Sequence, residues 1–131
     1  MTTSKKFQAR QGDVFIRAAA IPVDAKPVKP EGGRVVLAFG EVTGHAHAFY
    51  SGRVAMFRDD GAGRTFIRIP ADARDTAPIF GEDGVTVAGA VEIEGAALRH
   101  EEHTTIPVPP GDYEVIRQRE YSPEEIRQVA D

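Results

Sequence analysis

Thirteen glycines and nine prolines are spread through 131 residues, and they cut the chain into short runs that no long helix can cross. This pattern argues against a helical bundle. The runs between the breaks are rich in branched and aromatic residues, which suit a pleated, half-buried surface. Strands are predicted over residues 11–17, 34–39, 45–50, 53–58, 65–69, 85–93 and 112–118. Residues 22–33 and 59–63 read as loop and turn, residues 70–84 as an irregular connection, and Ser51-Gly52 as a tight hairpin turn. Residues 40–44 are expected to carry the fourth-decade strand on, with a bulge or turn at the glycines. Ser122-Pro123-Glu124-Glu125 is a capping box, with serine at the cap, proline at the first helical position and glutamate at the third. The expected fold is therefore all-β, a mostly antiparallel small barrel or sandwich closed by a short C-terminal helix over residues 122–131. The length fits one domain over residues 1–131, with residues 1–10 as a flexible tail.

Composition excludes some functions. The formal charge of −4 gives no general basis for phosphate binding, so nucleic acid is not expected as a partner. No apolar run is long enough to cross a bilayer, and the basic start lacks the apolar stretch of a secretory signal. The chain has no cysteine, which removes disulfides and thiolate ligands and suits the cytoplasm.

All four histidines fall in two clusters, His45-Ala46-His47 and His100-Glu101-Glu102-His103. On a strand, residues two apart face one side, so His45 and His47 point one way and Ala46 and Ala48 the other. His100 and His103 meet whether their segment is a strand ending in a turn, which is favoured, or a single helical turn. Chance surface neighbours and a pH-sensing cluster are the plainer alternatives. Imidazole is the commonest metal ligand, and two clusters that use every histidine favour one divalent transition-metal site built from His45, His47, His100 and His103. Zinc is the first candidate, with iron, nickel, manganese or copper also compatible with nitrogen ligands. Glu41, Glu101 and Glu102 are the nearest carboxylates, and each is a candidate to ligate, orient a ring or act as a base. Glu101 sits between ligands in sequence, where its side chain is as apt to face solvent. Tyr121, in Gln118-Arg119-Glu120-Tyr121, is a further candidate for the pocket, although an anchoring role for the last strand is preferred.

Gly44, His45 and His47, taken with the later histidines and Pro109-Pro110-Gly111, resemble the motifs of cupins. That resemblance implies a metal inside a small β-barrel. The glutamate that follows the cupin His-x-His has no counterpart here, where residues 49–53 are Phe, Tyr, Ser, Gly and Arg, and the last histidines precede the Pro-Gly turn. The chain as a whole resembles small uncharacterised bacterial or phage proteins carrying Gln-Gly-Asp-Val (residues 11–14), Gly-Glu-Val-Thr-Gly-His-x-His (40–47), His-x-x-His (100–103) and Gln-Arg-Glu-Tyr (118–121). This likeness implies a family and no activity. Three functions stand open. One is a metal-dependent enzyme acting on a small molecule. Another is a non-catalytic module in which the metal fixes the fold or a homo-oligomer contact. The third is a phage or mobile-element interaction protein that binds RNA or protein through Arg117, Arg119 and Arg127.

Overall fold

The structure is a computed structural model and describes residues 7–39, 45–101 and 103–117. Within them lie twelve strands and no helix: β1 (Gln8–Gln11), β2 (Val14–Ala18), β3 (Lys26–Val28), β4 (Val35–Phe39), β5 (Ala46–Phe49), β6 (Ala55–Asp59), β7 (Arg64–Ile69), β8 (Arg74–Phe80), β9 (Val87–Glu94), β10 (Ala96–Arg99), β11 (Ile106–Val108) and β12 (Gly111–Arg117). They form a six-stranded sheet in the order β1-β2-β12-β7-β6-β3, a four-stranded sheet in the order β11-β10-β5-β4, and the hairpin β8-β9. Each of these ladders is antiparallel.

The two larger sheets bury their facing sides in one core. Val14 and Ile16 of β2, Ile67 and Ile69 of β7, and Tyr113 and Val115 of β12 meet Val35 and Leu37 of β4, Phe49 of β5 and Leu98 of β10. Removing each such side chain from water contributes about 1.5–3 kcal/mol. Alternation along β5 works as expected: Phe49 enters this core, while Ala46 and Ala48 join Val36 in a separate cluster. On the far side of the six-stranded sheet, Glu114 is buried and ion-paired with both Arg17 and Arg64, so its charge is compensated.

Several expectations are corrected. Among the described residues the sheets do not close into a barrel. Pro27 lies in β3 and Pro107 in β11, both edge strands, and a residue without an N–H cannot extend a ladder outward. Residues 8–10 of the expected tail belong to β1, and residues 11–17 are two strands joined by a turn at Gly12-Asp13. The loop 22–33 contains β3, paired with β6. Ser51-Gly52 is not a hairpin turn, because β5 and β6 belong to different sheets and the chain crosses between them there. Residues 70–84 are not irregular: they contain β8, whose Pro78 again sits on a strand with an open edge. The expected helix over 122–131 and the continuation over 40–44 lie outside the described residues. No helix long and apolar enough to cross a membrane occurs among the described residues.

The β8-β9 hairpin is braced where it leaves the body. Gly95, at φ +94°, donates its N–H to Ala73 O at 2.8 Å, and Asp75 accepts from Ala97 N at 2.9 Å. Further out, Ile79, Phe80, Val85, Val87 and Val91 are exposed.

Candidate metal centre

The ladder between β10 and β5 pairs Leu98 with Phe49 and Arg99 with Ala48. Continued by one residue, that register sets His100 opposite His47. Their ring centroids are 4.3 Å apart, and His100 also lies 5.7 Å from His45 and 4.6 Å from His103. His47 and His103 stack at 5.6 Å. The fold thus brings both histidine pairs together at one end of the four-stranded sheet. After β10 the chain bends, which is the favoured strand-then-turn arrangement for the second pair.

The six-stranded sheet contributes the β1-β2 turn. Gln11 is buried, and its amide nitrogen donates to Leu98 O and Thr104 O, each at 2.9 Å. Two carbonyl partners fix the orientation of that amide. Its oxygen therefore faces His47 Nδ1, 2.8 Å away, and Nδ1 must carry the proton. In the neutral ring this leaves the Nε2 lone pair for a ligand. Such a hydrogen bond to the remote ring nitrogen is how metal-binding histidines are usually oriented. Gly12 adopts φ +58°, as a two-residue hairpin with glycine first requires. A Cβ there would stand 2.9 Å from His103 Nε2 and 3.2 Å from His47 Cε1. Asp13 completes the turn, with Oδ1 3.4 Å from His47 Nε2 and Oδ2 3.4 Å from Arg117 Nη2.

Loss of the Gln11 amide should loosen the His47 ring. Gln11→Ala is expected to weaken the zinc binding in which His47 takes part by ~10–100-fold, the usual cost of removing a partner that orients a ligand. Isothermal titration with zinc checks this, and an unchanged affinity would show that Gln11 does not hold His47 for the metal.

Burial pulls the His47 imidazole down from 6.5 to about 4, helped by His100, His103 and Arg117 and opposed by Asp13. The folded state then takes up this proton less readily than the unfolded chain. Stability is undiminished above pH 6.5 and erodes as the pH falls towards about 4. The full loss from this ring is about 3 kcal/mol. Urea denaturation of the metal-free protein at neutral and acid pH should show that loss in wild type and a smaller one in His47→Gln.

His45, His100 and Glu101 each offer a ligand atom, and these atoms lie within 4.8 Å of one another. Glu101 was expected to be as apt to face solvent. It is exposed, but its Oε1 accepts from Ala46 N at 2.9 Å, which tethers it beside the rings. That hydrogen bond, with lesser help from His45 and His100, holds its carboxyl below the usual range. An open cavity of about 510 Å³ adjoins this group, lined by Tyr50, Asp75, Arg99, His100 and Glu101 among others.

Glu41, Glu102 and Tyr121 lie outside the described residues. Arg117 is half-buried, with its Nη2 3.4 Å from Asp13 Oδ2, and Arg119 and Arg127 lie outside the described residues. Gln11, Gly12 and Asp13 were not singled out for the site by sequence reasoning. The signal for them was the Gly-Asp dipeptide, a two-residue hairpin signature, which would have set a turn where a continuous strand was read.

The fold and site define an open, antiparallel all-β protein with a histidine-rich cluster between two sheets. The chain belongs to the family described as a domain of unknown function, DUF8820, whose model matches residues 10–118. That stretch holds the β1-β2 turn and both histidine pairs. No curated protein and no solved structure matches the chain.

Proposed function

We propose that the protein binds a divalent transition metal, zinc first among the candidates, and uses it on a small molecule held in the adjoining cavity. The observation that carries this is the grouping of His45, His100 and Glu101 beside that cavity. Two imidazoles and a carboxylate are a ligand set of catalytic zinc, and the same set also suits non-haem iron. Three protein ligands leave a coordination position for water or substrate. A bound ion there lowers the pKa of its water and polarises a substrate oxygen, which suits hydrolysis. Arg99 and Tyr50 line the cavity and are the side chains suited to orient a polar substrate. The likeness of Gly44, His45 and His47 to cupins supports the metal and no particular reaction. A cytoplasmic setting remains part of this reading, on the absence of cysteine.

A second reading is a structural ion, favoured by the way the rings link the four-stranded sheet to the β1-β2 turn. The exposed apolar side chains of the β8-β9 hairpin support self-association in either case. Cobalt substitution separates the two readings. With an open position, adding azide changes the visible spectrum of the cobalt protein. A spectrum indifferent to azide favours a closed structural shell.

A further inference from the structure

Resting on the metal-and-cavity reading above, we infer that the substrate of this site carries an oxyanion, a carboxylate or a phosphate group, and that Arg99 is its anchor. The cavity lies where β8 meets β10. Asp75 of β8 accepts from Ala97 N, and Arg99 of β10 donates through Nη2 to Thr76 O. These two bonds hold the hairpin against the four-stranded sheet and tie the guanidinium to both. The volume of about 510 Å³ suits a small molecule, and the lining joins Arg99 and Tyr50 to His100 and Glu101.

The state of Arg99 is the informative observation. It is half-buried, yet among the described residues no carboxylate forms an ion pair with it. Its guanidinium donates to the neutral Thr76 carbonyl instead. Asp75 lines the same cavity, but its Oδ1 accepts from Thr76 N at 2.7 Å and its Oδ2 from Ala97 N at 2.9 Å, so backbone N–H groups engage both oxygens. A half-buried cation without an anionic partner carries a desolvation cost that a bound anion offsets. The planar guanidinium fork matches two oxygens of a carboxylate or a phosphate. Tyr50 adds a donor: its hydroxyl oxygen accepts from Arg34 Nη1 at 3.2 Å, which leaves its own proton for a ligand oxygen. Ala46, with its small side chain, leaves room for the body of the ligand.

A divalent ion held by His45, His100 and Glu101 adds positive charge beside Arg99 and offsets Asp75 and Glu101. Anions should therefore bind the zinc form more tightly than the metal-free form.

The test uses benzoate and phenyl phosphate, with benzyl alcohol as the neutral control. Each is titrated into zinc-loaded and metal-free protein, and binding is followed by the backbone amide signals of Ala46, Tyr50 and Thr105. At least one anion is expected to bind both forms, and benzyl alcohol far more weakly. The tighter anion tells a carboxylate substrate from a phosphate one. Arg99→Gln should weaken it by ~10–100-fold, the usual worth of hydrogen bonds to a charged group, with zinc content and circular dichroism unchanged. Arg99→Lys keeps the charge and loses the fork, and should bind between the two. Neither anion binding, benzyl alcohol binding as well as the anions, or full affinity in Arg99→Gln would overturn the anchor. A protein that takes up no zinc overturns the reading of the metal centre instead, and the metal-free titration then decides whether Arg99 holds an anion.

Discussion

Replacing His100 with alanine is expected to weaken metal binding more than any other single histidine change. Its ring lies 5.7 Å from His45, 4.3 Å from His47 and 4.6 Å from His103, so it touches every part of the cluster. Its loss removes a ligand and the spacing of the rest. The fall in affinity should exceed the ~10–100-fold that follows loss of an orienting partner. Competition against a chromogenic chelator gives the number. The change should cost the metal-free protein little, because His100 is half-buried and outside the main core. A dissociation constant within a few-fold of wild type would remove His100 from the site. Glu101→Ala is expected to follow close behind, since Glu101 is tethered beside His45 and His100 rather than turned away from them.

The largest effect on folding is expected at Gly95→Ala. Gly95 joins β9 to β10 at φ +94°, a conformation that side chains rarely adopt. A Cβ would lie 2.0 Å from Val108 O and 2.9 Å from Pro109 Cα, both backbone atoms. No rotamer change relieves such an overlap; β11 must move away from β10. Since Leu98 and Val108 are core residues of those strands, the movement also opens the core. Strained backbone alone costs about 1–3 kcal/mol, and the displaced ladder adds to it. A total of at least roughly 3 kcal/mol lowers Tm by about 10 °C or more in a domain of this size. Gly52→Ala is the control: a Cβ there meets nothing within 4 Å, and the change should stay within about 0.5 kcal/mol. Differential scanning calorimetry of the two variants checks both. Equal Tm values would contradict the account of the β10-β11 junction.

Local sequence carried the β character well, because short runs such as Val35-Val36-Leu37 and Phe66-Ile67 hold few competing helical signals. It did not carry the pairing. Whether Ser51-Gly52 turns a strand back on its neighbour or passes it to another sheet depends on contacts far away in sequence, and both uses take the same residues. Pro78 misled for a related reason: it looks like a strand breaker, yet it is tolerated where the strand has an open edge. The site was legible in its histidines, whose chemistry is local to the residue. Gln11 and Asp13 were hidden because an amide and a carboxylate gain meaning only from what they face. In sequence Gln11 is one polar residue of many; in the fold it holds two carbonyls and a ring nitrogen.

Metal content is the most direct test of the histidine cluster. Protein without an affinity tag is stripped with chelator, loaded with zinc, desalted and assayed by elemental analysis, alongside the double variant His45→Ala, His100→Ala. Wild type should retain at least one zinc ion per chain, and the double variant should lose the ion held with Glu101. A wild-type protein that retains no zinc, or a double variant that retains as much as wild type, would contradict a metal centre at these residues.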